Sequence, residues 1–198
     1  MSDRDQRVCF VGDSYVAGTG DSSGLGWVGR VTAAAFAGGL APTVYNLGLR
    51  RDTSVQVGER FTREVAPRLE PATDARVVLS FGVNDTTLED GVQRVGMFQS
   101  LRALQQIHRE RDGARVMVVG PPAVADNAQN ERIHELNDLM ADVAKILGMP
   151  YVQCFAETVS HPVWQQQLGK GDGFHPDAAG YELIASLAAD PIVKWLAR

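Results

Sequence analysis

The sequence predicts an α/β fold of three layers, with helices on both faces of a five-stranded parallel sheet. Two observations predict it. Short apolar runs and helical patterns alternate along the whole chain, the order that builds parallel sheets through helical crossovers. The runs are also near-continuously apolar instead of alternating, as strands covered on both faces are.

The first strand is RVCFVG (7–12), which breaks off at Gly12-Asp13-Ser14. A helix is expected over Gly26 to Ala37, then a strand TVYNLG (43–48) and a helix over Ser54 to Leu69. The third strand is RVVLSFG (76–82), followed by Val92, Val95, Phe98, Leu101, Leu104 and Ile107 at near-helical spacing. RVMVVG (115–120) is the fourth strand. After it, Ile133, Leu136, Met140, Val143 and Leu147 share one helix face. YVQCF (151–155) is the fifth strand, and a last helix is expected over Pro176 to Leu196, with Pro176 in its first turn and Asp177 at its positive end. The runs are rich in Val and Phe, and Gly or Pro bounds them. Right-handed crossovers make a flavodoxin-like strand order, 2-1-3-4-5, the expectation.

With 198 residues the chain can form one sizeable domain, read here as spanning 1–198. Its net charge of −5 and unclustered Lys and Arg argue against general nucleic-acid binding. No apolar run approaches a membrane span. MSDRDQR at the N-terminus lacks the apolar stretch of a secretory leader, so a cytoplasmic location is expected. Cys9 and Cys154 lie in apolar runs without metal-site spacing and read as buried, reduced thiols.

In such sheets ligands bind beyond the carboxyl ends of the strands, where Ser14, Gly48 and Asn84 fall. Taken alone, Gly12-Asp13-Ser14 is equally a turn. Asn84 could cap its own loop or donate its amide into a site. Gly48 could be a turn glycine or let a ligand approach its N–H. In GDGFHPDAAGY (171–181), Asp172 stands three residues before His175, close enough for its carboxylate to orient the ring while the other ring nitrogen acts as a base. Activated hydroxyl, base, orienter and oxyanion donors are the set that acyl hydrolysis needs.

The combination resembles the GDSL or SGNH hydrolases over nearly the full length. FVGDSYVAGTG is similar to their first block, NLG to the second, GVND to the third and DGFHP to the last. The resemblance implies the SGNH hydrolase fold and a serine esterase. Ser14 would be its nucleophile, His175 its base and Asp172 the orienter. The Ser14 N–H, the Gly48 N–H and the Asn84 side chain would form the oxyanion hole, while Asp13 and Asp85 would hold their loops. The second block of the family often has another glycine where Arg51 stands.

The expected substrates are small-molecule carboxylic esters or thioesters of short acyl groups, with no cofactor and no metal. Arg50, Arg51 and Phe174 are candidate substrate contacts, and Trp27 and Trp164 are candidate pocket walls or core. The two arginines otherwise point to solvent or pair with Asp52 and nearby acids. Gly18 and Gly20 are expected to keep the wall beside Ser14 low or mobile. Two rival readings have different chemistry. In a flavodoxin-like flavin carrier, SYVAGTGDSS would serve as the phosphate loop. In a phosphatase, Asp13 would be the nucleophile, although Tyr15 stands where such enzymes usually want a second acid. Oligomeric state and natural substrate are not legible.

Overall fold

The computed structural model describes residues 4–70 and 72–198. Met1–Asp3, the start of the stretch read for a leader, lie outside the described residues.

A parallel sheet of five strands forms the middle layer: β1 (Gln6–Gly12), β2 (Thr43–Gly48), β3 (Asp74–Ser80), β6 (Arg115–Val119) and β7 (Tyr151–Val152). Its order is β2-β1-β3-β6-β7. This is the expected topology with a small antiparallel hairpin, β4 (Leu88–Glu89) and β5 (Val92–Gln93), set into the crossover between the third and fourth strands of the sheet. The register pairs Gly12 with Gly48 on one side and with Ser80 on the other, so three strand ends finish level and their following loops share one edge.

Both faces are covered, which explains the unbroken apolarity of the strands. On one face α2 (Gly26–Ala37), α7 (Pro162–Lys170) and α8 (Ala178–Leu196) bury Trp27, Val31, Trp164, Ile184 and Ile192 against Val8 and Phe10. On the other, α3 (Ser54–Leu69), α4 (Met97–Glu110) and α5 (Asn127–Ile146) bury Phe61, Leu104, Ile107 and Leu136 against Val11, Val77 and Leu79. Trp27 and Trp164 are therefore core, not pocket walls. Cys9 and Cys154 are buried and unpaired, and burial pushes both thiols up to about 12.

Helix ends follow local chemistry. α3 opens with a capping box, in which Thr53 Oγ1 accepts from the Gln56 N–H and Gln56 Oε1 accepts from the Thr53 N–H. α8 starts at Ala178 instead of Pro176, because the Asp177 side chain accepts from the Ala178 N–H and acts as the cap. The fifth strand stops at Val152, and Phe155 already opens a short helix, α6 (Phe155–Ser160). Val92 belongs to the hairpin and Val95 to the loop after it, so α4 begins later than the spacing suggested. Among the described residues no helix is long and apolar enough to cross a membrane.

Candidate active site

β1 must end in glycine at its contact with β3: a Cβ on Gly12 would lie 1.8 Å from the Ser80 carbonyl oxygen. Asp13 then turns the chain. Its Oδ1 accepts from the Tyr15 N–H at 2.9 Å and caps the short helix α1 (Ser14–Ala17), which places Ser14 first in that helix. Burial pushes the Asp13 carboxyl up to about 7, aided by the Asp85 and Asp52 carboxylates and opposed by the Tyr15 N–H. Asp13 is almost fully buried beneath the loop and does not line the cleft, which leaves an aspartyl nucleophile without access to substrate.

Ser14 Oγ lies 2.8 Å from His175 Nε2, and His175 Nδ1 lies 2.7 Å from Asp172 Oδ2. The three-residue spacing works through the backbone. Asp172 Oδ1 accepts from the N–H groups of Phe174 and His175 at 2.9 and 2.8 Å, with Gly173 at φ +81° making the tight turn. One carboxylate thus folds its own loop and meets the ring. Burial works to raise the Asp172 carboxyl, but the His175 N–H, the His175 ring and the Phe174 N–H outweigh it and hold it down at about 2.

Tyr15 is a supporting residue that sequence reasoning missed. Its hydroxyl donates to the Phe174 carbonyl at 2.5 Å, and its ring lies 5.3 Å from the His175 ring, with Trp164 stacked behind it at 6.4 Å. The only sequence signal was position, directly after the serine. The glycine loop is exposed but tied down: a Cβ on Gly20, at φ +89°, would lie 3.0 Å from the His175 Cβ and from the Pro176 carbonyl oxygen, and Asp21 accepts from the N–H groups of Ser23 and Gly26.

On the other side of Ser14, Asn84 Nδ2 donates to the Asp52 carbonyl at 2.9 Å and stands 3.5 Å from Asp13 Oδ2. Asp85, next in sequence, is buried and accepts from the Ser54 N–H and the Ser100 hydroxyl, which anchors the Asn84 loop to α3 and α4. Arg60 donates to both Asp52 and the Gly12 carbonyl, which ties the end of β1 to the loop after β2.

Gly48 departs from expectation. Its N–H donates to Asn46 Oδ1 at 3.0 Å, and Gly48 does not line the cleft. Its lack of a side chain serves packing, because a Cβ would lie 2.1 Å from the Ala17 nitrogen. Arg51 does line the cleft and has φ +69°, a backbone conformation that favours glycine. The stereochemistry accounts for the glycine expected there. Asp52 pairs with Arg60 and is not a partner of Arg50 or Arg51.

The resulting cleft holds about 270 Å³. Ser14, Asn84, Asp172 and His175 line it, Val83, Tyr15 and Phe174 supply apolar lining, and Thr87, Arg50, Arg51, Glu89 and Arg94 complete it. A buried hydroxyl hydrogen-bonded to an imidazole, itself bonded to a carboxylate, beside amide donors, is an arrangement able to transfer an acyl group.

Solved structures similar to this one include hydrolases. The structure is similar to that of a lipase/acylhydrolase from Enterococcus faecalis, with 26% identity, a TM-score of 0.79 and 96% of each chain covered. It shares its fold with LAE5, an alpha/beta hydrolase from the metagenome of Lake Arreo, Spain, at 20% identity and TM-score 0.73 over 96% of this chain and 97% of that one. It also shares it with Axe2, an acetylxylan esterase from Geobacillus stearothermophilus, at 15% identity and TM-score 0.74 over 96% and 94%. A search of curated proteins gives no match. The family model of the GDSL-like lipase/acylhydrolases matches residues 10–183, most of the sequence. The chain belongs to that family of esterase/lipase-type hydrolases.

Proposed function

We propose that this protein, as one SGNH hydrolase domain, cleaves carboxylic esters or thioesters of short acyl groups through an acyl-enzyme on Ser14. The observation that carries this reading is the hydrogen-bonded series from Ser14 Oγ through His175 to Asp172, at 2.8 and 2.7 Å. Ser14 Oγ attacks the carbonyl carbon while His175 Nε2 takes its proton. Asp172 accepts from Nδ1, which fixes the tautomer and stabilises the imidazolium that forms. The negative charge on the carbonyl oxygen meets the Ser14 N–H, which has no acceptor within its own helix turn, and the Asn84 amide. Collapse expels the alcohol or thiol, which takes the proton from His175. Water, activated by the same imidazole, then releases the acid and restores Ser14.

Gly48 is left out of this oxyanion hole because its single N–H already has an acceptor and it does not line the cleft, whereas Asn84 Nδ2 carries a second hydrogen besides the one given to the Asp52 carbonyl, held only by a 3.5 Å contact to Asp13. Phe174, beside His175 in the cleft, gives an apolar surface to the substrate. The small cleft favours short acyl chains. The test is a series of 4-nitrophenyl esters from acetate to dodecanoate, with Ser14→Ala as control. We expect kcat/KM to be highest at the short end and to vanish in the control. Retained turnover in Ser14→Ala would reject the mechanism, and a maximum at dodecanoate would reject the size argument.

A further inference from the structure

The wall across Ser14 from His175 is cationic. Arg50 and Arg51 follow β2, and Arg94 follows the β4–β5 hairpin; all three line the cleft. Among the described residues of the cleft, two carboxylates accompany them. Asp172 is committed to His175. Glu89 is shared, 3.4 Å from Arg51 and 3.3 Å from Arg94. Both contacts are longer than the ~2.7–2.9 Å of a strong charge-assisted bond, and no carboxylate lies within salt-bridge distance of Arg50 among the described residues. Three guanidinium groups therefore face one loosely held carboxylate, in a chain whose net charge is −5.

Arg50 and Arg51 reach into solvent, the Arg51 side chain being 79% exposed, but the third arginine is ordered. The Arg94 side chain is only 15% exposed, and its Nη2 donates to the Arg51 carbonyl at 3.1 Å. Its guanidinium is held in place before any ligand arrives. Arg51 keeps a large side chain on a backbone that glycine fits better. A planar guanidinium can bind an oxyanion with two parallel hydrogen bonds, and a partner already ordered loses little entropy in doing so.

Position decides which part of a substrate meets the wall. The leaving group must lie by His175 Nε2, which protonates it. His175 comes from the loop before α8, in the layer of α2 and α8, whereas the arginines come from loops that enter α3 and α4 on the opposite layer. With the leaving group at His175 and the carbonyl oxygen at Asn84, the acyl portion is the part of the substrate left free to reach the arginines beyond Asn84.

Resting on the esterase reading above, we propose that this site selects esters whose acyl part ends in an anionic oxyacid group, which displaces Glu89 from Arg51 and Arg94. Three acyl substrates with one leaving group test this: 4-nitrophenyl hydrogen adipate, its neutral methyl ester, and the 5-phosphonopentanoate ester. The ratio of kcat/KM for anionic over neutral ester is read in each protein, so losses common to both cancel.

The wild-type ratio should exceed ~10, fall toward one in Arg51→Gln and in Arg94→Gln, and rise in Glu89→Gln. The carboxylate and phosphonate esters then tell which oxyanion the wall prefers. A wild-type ratio near one, or a ratio indifferent to both arginine variants, overturns the proposal while leaving the esterase intact. So does a charge preference found only when the anion is moved to the leaving group, as in 3-carboxyphenyl against phenyl acetate. Calorimetric titration with adipate needs no turnover. Wild type should bind it at least ~10-fold more tightly than the Arg51→Gln/Arg94→Gln protein. Equal affinities overturn the anion site even if no ester proves to be a substrate, which is the outcome that would instead reject the hydrolase reading.

Discussion

The Gly48 N–H donates to Asn46 Oδ1 at 3.0 Å, and the Asn46 amide in turn donates to the Val16 carbonyl at 2.8 Å. The second strand is thereby stitched to α1, the helix that carries Ser14. Gly48 is required there by contact, with the Ala17 backbone closing over its α carbon. Gly48→Ala should therefore cost at least about 1–3 kcal/mol of stability, the usual penalty of overpacking. Thermal melts of the variant check this. A normal melting temperature with turnover selectively lost would restore Gly48 to the reacting centre.

Asn84 should behave in the opposite way. Its amide is the side-chain donor of the proposed oxyanion hole, so Asn84→Ala should lower kcat by about 10²–10³ with little change in KM. It also holds the Asp52 carbonyl, so some stability is lost. Turnover and melting temperature measured on one preparation separate the two contributions. Near-normal kcat in a destabilised protein would leave Asn84 as a loop anchor only.

Asp172 does two jobs with two oxygens. In Asp172→Asn, Oδ1 can still accept from the Phe174 and His175 N–H groups, so the loop should fold. The amide nitrogen facing Nδ1 would favour the wrong imidazole tautomer. By analogy with the same change in serine proteases, kcat should drop by about 10⁴ with the melting temperature almost kept. Full activity would mean that the backbone bonds alone explain why the aspartate is there.

Arg51 offers a test of backbone strain. With φ at +69°, Arg51→Gly should give a more stable protein than Arg51→Ala, by about 1 kcal/mol, because alanine keeps the crowded left-handed conformation that glycine accepts freely. Chemical denaturation of the two variants measures the difference. Equal stabilities would show that the loop relaxes.

Much of the fold was legible because burial writes itself into the strands. Val8 to Val11 and Val77 to Leu79 are apolar without interruption since helices cover both their faces. The near-helical spacing of Val92 through Ile107 overreached, because the first two lie before the helix and the rest do not share one face. At about 100° per residue, a step of three falls about 60° short of a full turn, so such a series sweeps around the helix. Phe98 is accordingly 84% exposed while Leu104 and Ile107 are buried. Ser14, Asp172 and His175, which lie within hydrogen-bond distance in series, stood out through short turn motifs and the resemblance those motifs carry. Glu89 and Arg94 were not, since a hairpin inside a crossover carries them to the cleft, and no local pattern encodes that placement. Gly48 stayed ambiguous because a glycine needed for close packing and one needed for ligand access look alike in a sequence.

Asp13 predicts a pH effect on stability. Its carboxyl titrates near about 7 in the folded protein, against 3.8 for the unperturbed group, because burial disfavours the charge. The folded state therefore binds more protons than the unfolded state between those values. This group's contribution to stability is greatest below about pH 4 and declines as pH rises through about 7. Asp13→Asn keeps an oxygen to cap Tyr15 and removes the titration. The difference in melting temperature, variant minus wild type, should grow across that interval. Parallel curves would mean that Asp13 ionises without cost.

The most direct test of the central claim is intact-mass and peptide analysis after exposure to a fluorophosphonate probe. The account predicts one covalent adduct on the peptide bearing Ser14 in the wild type. It predicts none in Ser14→Ala, and much slower labelling in His175→Ala, because the serine needs its base. Undiminished labelling in Ser14→Ala, or an adduct mapped to another residue, would contradict it.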